Sequence, residues 1–433
     1  MRLSSALLTL SLAQPFVAEA SSTHSSFRRV TDRFHHIALK RSSGLAQDIR
    51  LALKGLIPEE PSQRQQPVRR SESGKAYCVS TKSSKNSPTN SSGTDSSPSS
   101  STSTHKATGT STSGAASATS TATNNSSDFT LVQDYSGSDF FTGWDFFTGS
   151  DPTNGIVEYV DQSTGESANL TSIENGNAIM RVETTEQVSG NRQSIRITTK
   201  YTFNGALVIM DSTHMPTGCG TWPAFWTNGP NWPTTGEIDI VEGVNTYIAN
   251  QATIHTASGC SLSTSNLLSL DLSGTLTGGT NCAALETNNE GCGIRDSNTK
   301  SFGSGFNDIG GGVYAMLWDD DGIRIHFFPR SSIPSDIDAG VPQPDTWGAP
   351  TAFWPASSCN PSNFFKDHSA IFDTTLCGDW ASGVWSSTGV PGQDTSCAAS
   401  TGVSTCEEYV RNNGNAFSEA YWSVKSVKIY QAK

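Results

Sequence analysis

The stretch Gly236-Glu237-Ile238-Asp239-Ile240-Val241-Glu242 admits few folds. Every residue between its three acids is Ile or Val, and β-branched side chains suit a strand better than a helix. Successive side chains of a strand point to opposite faces, so Glu237 and Asp239 share one face and Ile238 takes the other. A sheet built on this strand has one face in a core and one lined with carboxyl groups. Parity breaks at Glu242, which on a regular strand would point into the core. One extra residue, a β-bulge at Ile240 or Val241, returns it to the face of the other two acids, and bulges recur beside functional sites.

The surrounding sequence agrees with a sheet protein. Runs such as 178–183, 194–198, 205–210, 313–318, 322–328 and 423–430 are strand-like, and several alternate apolar and polar residues. Asp320-Asp321-Gly322 joins two of them as a hairpin. Helical periodicity is weak, with one short helix expected within 406–419. An all-β domain of about 300 residues with Gly-rich turns points to a β-sandwich or jelly roll. The acidic run Asp319-Asp320-Asp321 reads as a solvated hairpin turn rather than a calcium site.

Only residues 128–433 carry this pattern. Residues 1–20 read as a secretory signal, with Arg2, an apolar run from Ala6 to Val17, and Ala18-Glu19-Ala20 as the cleavage site. No later run reaches the ~18 to 20 apolar residues of a membrane span. The C-terminus has no apolar tail for a glycolipid anchor. Residues 21–79 form a basic arm or pro-segment with the pairs Lys40-Arg41 and Arg69-Arg70 and a short helical pattern over 45–53. Residues 80–127 form a linker in which 29 of 48 are Ser or Thr and none is aromatic. Such a tract cannot bury enough apolar surface to offset chain entropy. The product is expected to be secreted and soluble.

Charge and cysteine usage narrow the partners. Residues 128–433 hold 33 acidic and 13 basic residues, a formal charge of −20. That field repels phosphate and acidic polymers, so nucleic acid is not an expected partner and a neutral polymer is compatible; without a span or anchor signal, no membrane is expected either. Eight of the nine cysteines fall in this part, Cys219, Cys260, Cys282, Cys292, Cys359, Cys377, Cys397 and Cys406, and four disulfides of unassigned pairing are expected. Cys78 is left over. No cysteine or histidine cluster has zinc spacing, so no metal and no cofactor is expected. Asn169-Leu170-Thr171 is a glycosylation sequon, and Asn90, Asn124 and Asn125 head others. A monomer is expected.

The acid-rich strand also carries a chemistry. Glycoside hydrolysis commonly needs two carboxyl groups flanking one bond, one at the anomeric carbon and one protonating the leaving oxygen. Crowded carboxyl groups do not all ionise, so one stays protonated and can serve as the acid. Trp222, Phe225, Trp226 and Trp232 lie just upstream, and flat aromatic faces suit the apolar face of a pyranose ring. His255, on an adjacent strand, can donate to Asp239 or to substrate.

Residues 129–433 resemble glycoside hydrolase family 16, in particular the fungal endo-1,3(4)-β-glucanases or laminarinases. The likeness rests on Phe140-Phe141, Asp151-Pro152-Thr153, the run His214-Met215-Pro216-Thr217-Gly218-Cys219-Gly220-Thr221-Trp222-Pro223-Ala224-Phe225-Trp226, the run Gly236 to Asn245, and Cys377-Gly378-Asp379-Trp380-Ala381. The resemblance implies a curved jelly roll with an open cleft and a β-glucan substrate, with Glu237 as nucleophile, Glu242 as acid/base and Asp239 as their helper. It also implies that Trp222, Trp232 and His255 line the cleft and that Arg192 and Arg196 lie on a substrate-contacting strand. The expected activity is retaining endo-hydrolysis of 1,3- or mixed 1,3;1,4-β-glucan. The same residues would serve a cell-wall transglycosylase, and a glucan-binding lectin on this fold would lack one of the glutamates.

Overall fold

A computed structural model describes residues 126–263, 270 and 272–433. The expected signal, the basic arm, Cys78 and nearly all of the Ser/Thr tract lie outside the described residues. Ser127, which composition assigns to the linker, is buried and belongs to the fold. Its hydroxyl donates to Pro342 O (2.6 Å), and its own carbonyl accepts from Lys433 Nζ (2.6 Å).

Among the described residues, two eight-stranded antiparallel sheets form a β-sandwich that is not closed into a barrel. In spatial order the first holds Ala352–Pro355, Gly322–Pro329, Gly312–Asp319, Ala206–His214, Tyr421–Ala432, Asn177–Arg181 and Thr171–Glu174, with Phe129–Ser136 also pairing along Tyr421–Ala432. The second runs Thr275–Thr277, Cys292–Arg295, Gln251–His255, Glu237–Glu242, Thr221–Asn228, Ser369–Leu376, Arg196–Thr199 and Trp144–Phe146. The expected hairpin closes at Asp319 and Gly322. Asp319 there accepts from the Asp321 and Gly322 amides and from Arg324 Nη1 (3.0 Å), so the acidic turn satisfies itself.

The main core lies between the sheets. Val208, Met210, Met316, Ile325 and Trp354 belong to the first sheet, and Phe225, Ile238, Ile240, Val241, Ile254 and Phe372 to the second. The outer face of the first sheet is not bare. Leu207, Ile209, Val313, Ala315, Leu317 and Tyr430 are covered there by Ile333, Ile337 and Trp347.

An insert carrying the short helices Gly378–Gly383, Cys397–Thr401 and Cys406–Asn412 packs on Val182, Leu376 and Ala420. The last of these is the expected short helix. Cys219–Cys397 and Cys377–Cys406 tie the insert down, while Cys260–Cys359 and Cys282–Cys292 tie the opposite end of the second sheet. The four disulfides expected from composition are present. Among the described residues no helix is long and apolar enough to cross a membrane.

Candidate active site

The acid-rich stretch forms the strand Glu237–Glu242 at the centre of the second sheet. Against Thr221–Asn228, Glu237 lies opposite Asn228 and Asp239 opposite Trp226; the register then shifts, so that Val241 meets Phe225 and Glu242 meets Ala224. The extra residue is Ile240. Ile240 and Val241 are consecutive yet both fully buried in the core, which a regular strand forbids. The bulge therefore turns Glu242 back to the face of Glu237 and Asp239. Gly236 opens the strand at φ +76°, and a side chain there would collide with the Phe365 ring and Phe364 O.

Cross-strand pairing lays out the face around the acids. Glu237 is flanked by Asn228 and His255, and Asp239 by Trp226 and Thr253. Glu242 is flanked by Ala224, behind which come Asp373 and then Arg196. His255 Nε2 lies 3.3 Å from Asp239 Oδ2, and both residues are buried. A side chain at Gly291 would run into the His255 ring, so this glycine lets the ring sit against the backbone. Trp222 Nε1 donates to Glu242 Oε1 (2.8 Å), and its ring meets Trp380 of the insert edge-on at 5.7 Å. Trp226 Nε1 donates to Asp373 Oδ1 (3.1 Å). Trp232 lies beside Glu237 and favours its ionised form.

Burial decides the proton balance. It raises Glu237 to about 7, with the charge of Asp239 adding to the effect. Asp239 is raised by burial against the opposing hydrogen bond from Glu237. Glu242 is raised well above the ordinary range, by burial first and then by Asp239, with the Trp222 bond opposing. Glu237 and Glu242 thus share this face, and both hold their protons more tightly than an ordinary glutamate does, as a group that must deliver a proton requires. Glu237, Asp239 and His255 could also present three atoms to a cation, all within 4.8 Å of one another.

Of the residues expected from sequence, Glu237, Asp239, Glu242, Trp222, Trp226, Trp232 and His255 gather at one face. Trp222 and Trp226 use their indole N–H groups on carboxylates, and His255 is held against Asp239.

Arg192 does not join them. It is fully buried under the insert, where Nε and Nη2 donate to Val410 O (3.0 and 2.7 Å) and Nη1 to Glu183 O and Thr185 O (3.0 and 2.7 Å). Its guanidinium satisfies a carbonyl in the last turn of the helix Cys406–Asn412 and two in the segment that follows the strand Asn177–Arg181, so its role is structural. Arg196, four residues on, does reach the site, with its guanidinium over the Trp226 and Phe147 rings at 5.1 and 4.6 Å.

Sequence reasoning missed Asp373, which is nearly buried and accepts from Tyr159 Oη (3.1 Å) as well as from Trp226. Burial raises it to about 6, against the nearby Arg196 charge. Its signal was a lone acid within the strand Ser369–Leu376, of which all but the first residue is buried.

A family model described as the XgeA-like catalytic domain of glycoside hydrolase family 16 matches residues 144–430. The chain is 43% identical over 313 residues to a probable glycosidase of Schizosaccharomyces pombe, covering 70% of this chain and 69% of that one. It is 44% identical to a probable endo-1,3(4)-β-glucanase of Aspergillus niger (71% of this chain, 40% of that one). With an endo-1,3(4)-β-glucanase of Arthroderma benhamiae the figure is 39% (71% and 65%). This chain thus spans well under two thirds of the Aspergillus relative. Among solved structures it is similar to Laminarinase 16A of Phanerochaete chrysosporium, at 36% identity and TM-score 0.63, over 70% of this chain and 99% of that one. A second, at 36% and TM-score 0.62 over 70% and 100%, is an elongating family 16 β-1,3-glucosyltransferase. The family model's span over residues 144–430 and the identity to these relatives show that the chain belongs to glycoside hydrolase family 16 and is a glycoside hydrolase.

Proposed function

We propose that the protein is a secreted, retaining endo-β-glucanase acting on 1,3-linked or mixed 1,3;1,4-linked β-glucan. The observation that carries this reading is the bulge at Ile240, which brings Glu237 and Glu242 to one face of one strand. In the first step the Glu237 carboxylate attacks the anomeric carbon and the glycosidic C–O bond breaks. Glu242 gives its proton to the departing oxygen, and a glycosyl ester of Glu237 remains. In the second step the Glu242 carboxylate takes a proton from water, whose oxygen attacks the same carbon and releases Glu237. Asp239, held by His255 and bonded to Glu237, keeps the nucleophile oriented and limits the charge on the acid. Trp222, Trp226 and Trp232 offer ring faces to the sugars on either side, and Arg196 and Asp373 brace Trp226.

Substrate class is supported by similarity to Laminarinase 16A, whose structure holds 6-O-glucosyl-laminaritriose in donor and acceptor sites. Secretion is supported by four disulfides, which suit an oxidising compartment. Asn169 is exposed just after the helix Gln162–Ser167 and is open to a glycan.

The deciding experiment follows laminarin, mixed-linkage glucan and cellulose by NMR. We expect β-anomeric oligosaccharides first from laminarin or mixed-linkage glucan. Initial α-anomers, glucose alone, or faster cleavage of cellulose would reject the reading. A second reading, β-glucan transglycosylase, is favoured by the 36% identity to the elongating glucosyltransferase. Products longer than the substrate would select it.

A further inference from the structure

A bulge has a cost: it interrupts the ladder and strands backbone groups. Here the pairing of Glu237–Glu242 with Gln251–His255 stops at Asp239 opposite Thr253. Beyond that point the Ile240 carbonyl and the Glu242 amide have no ladder pair on that side. Both are taken by one side chain. Asn250 Nδ2 donates to Ile240 O (2.9 Å), and Asn250 Oδ1 accepts from Glu242 N (2.9 Å). The amide stands in for a missing peptide unit of the adjacent strand, and only one orientation of it satisfies both partners.

Asn250 is itself held from behind. It is fully buried; its N–H donates to Ser301 Oγ (2.9 Å), and its carbonyl accepts from Asp296 N (2.8 Å). Ser301 is also fully buried, and its hydroxyl donates to Asn298 O (2.7 Å). Four hydrogen bonds thus tie the loop 296–301 to the two peptide units on either side of Val241. No other side chain among the described hydrogen bonds touches the bulge backbone.

We infer that Asn250 is a positioning residue, a clamp that sets the bulge and so aims the Glu242 carboxyl at the leaving oxygen. This rests on the acid role proposed for Glu242. Asn250 touches no sugar and moves no proton; its effect passes through the backbone of Glu242. Glu237 and Asp239 lie before the bulge and keep their own ladder pairs, so the nucleophile does not depend on the clamp.

That separation gives the test. Asn250→Ala removes both bonds, and the near-isosteric Asn250→Asp keeps the acceptor but loses the donor. Both are made in the full chain and assayed on laminarin and on an aryl β-laminaribioside with a dinitrophenol leaving group, which has little need of an acid. We expect kcat/KM on laminarin to fall ~10- to 100-fold in both variants, the loss typical of a misaimed group. The aryl glycoside should lose less than about threefold, because its departure does not wait for the proton. Equal losses on both substrates would mean that the amide only supports the fold, and would overturn the clamp. Unchanged laminarin turnover would also overturn it, as would failure of both variants to fold. Glu242→Ala, run alongside, separates the two layers: if it retains laminarin turnover, the acid assignment is wrong and the clamp falls with it. If Glu242→Ala shows the leaving-group pattern and the Asn250 variants do not, the clamp alone is rejected.

Discussion

Trp222 Nε1 donates to Oε1 of Glu242 over 2.8 Å. The bond favours the ionised carboxyl and so acts against burial and the charge of Asp239, which hold the proton on. An acid/base must lose and regain its proton in every cycle, and this opposition keeps both states within reach. Trp222→Phe keeps an aromatic ring and deletes the donor. The alkaline limb of the kcat profile should move to higher pH, with kcat ~10-fold lower at its optimum. A limb that stays in place would show that the indole serves only as a sugar platform.

Glu237→Ala and Glu242→Ala should each cut laminarin turnover ~10³-fold or more while the near-ultraviolet spectrum of the fold is kept. On an activated aryl glycoside only Glu237→Ala should remain inert, since a good leaving group needs no acid but still needs an attacking group. Reversal of that order would exchange the two roles.

The buried acids also set a stability signature. Glu237 at about 7 lies above its ordinary value of 4.5, so the folded protein holds this proton more tightly than the unfolded chain. Its stabilising contribution is complete below the ordinary value and is lost as pH rises through 7. Asp239 and Glu242 are raised in the same direction. Glu237→Gln cannot ionise, so its Tm should match the parent in acid and exceed it at pH 8 by roughly 3 to 8 °C. Thermal scans at the two pH values check this, and a parent that gains stability with rising pH would contradict it.

Arg192→Ala should damage the fold and spare the chemistry. It leaves the carbonyls of Val410, Glu183 and Thr185 without their donor in a buried place. Tm should fall by roughly 5 to 10 °C while KM for laminarin stays within about twofold at a temperature where the variant is folded. A raised KM with unchanged Tm would restore the substrate-contact role.

Residues 126–433 should express and turn over laminarin at the rate of the full chain. The boundary belongs before Ser127, whose backbone and hydroxyl bind Lys433 and Pro342, so a start at residue 129 should lower Tm measurably. Activity per mole and thermal scans of the three lengths check the two statements.

The strand, its face and even its bulge were legible from residue types alone. Ile and Val must enter the core and three acids cannot, so the parity of Gly236 to Glu242 left Ile240 or Val241 as the irregular residue, and Ile240 is the one. The four disulfides and the sheet architecture were readable for the same reason, since local alternation and composition are properties of the chain as written. Tertiary structure alone decided which polar groups meet. Arg192 and Arg196 look equivalent in a string, but one is swallowed by an insert more than two hundred residues away and the other reaches the aromatic floor of the site. Asp373 and Asn250 carried no motif, and they matter only because strand register and a broken ladder bring them against Trp226 and Glu242. Burial and hydrogen bonding set those roles, and both are sums over neighbours that are distant in sequence.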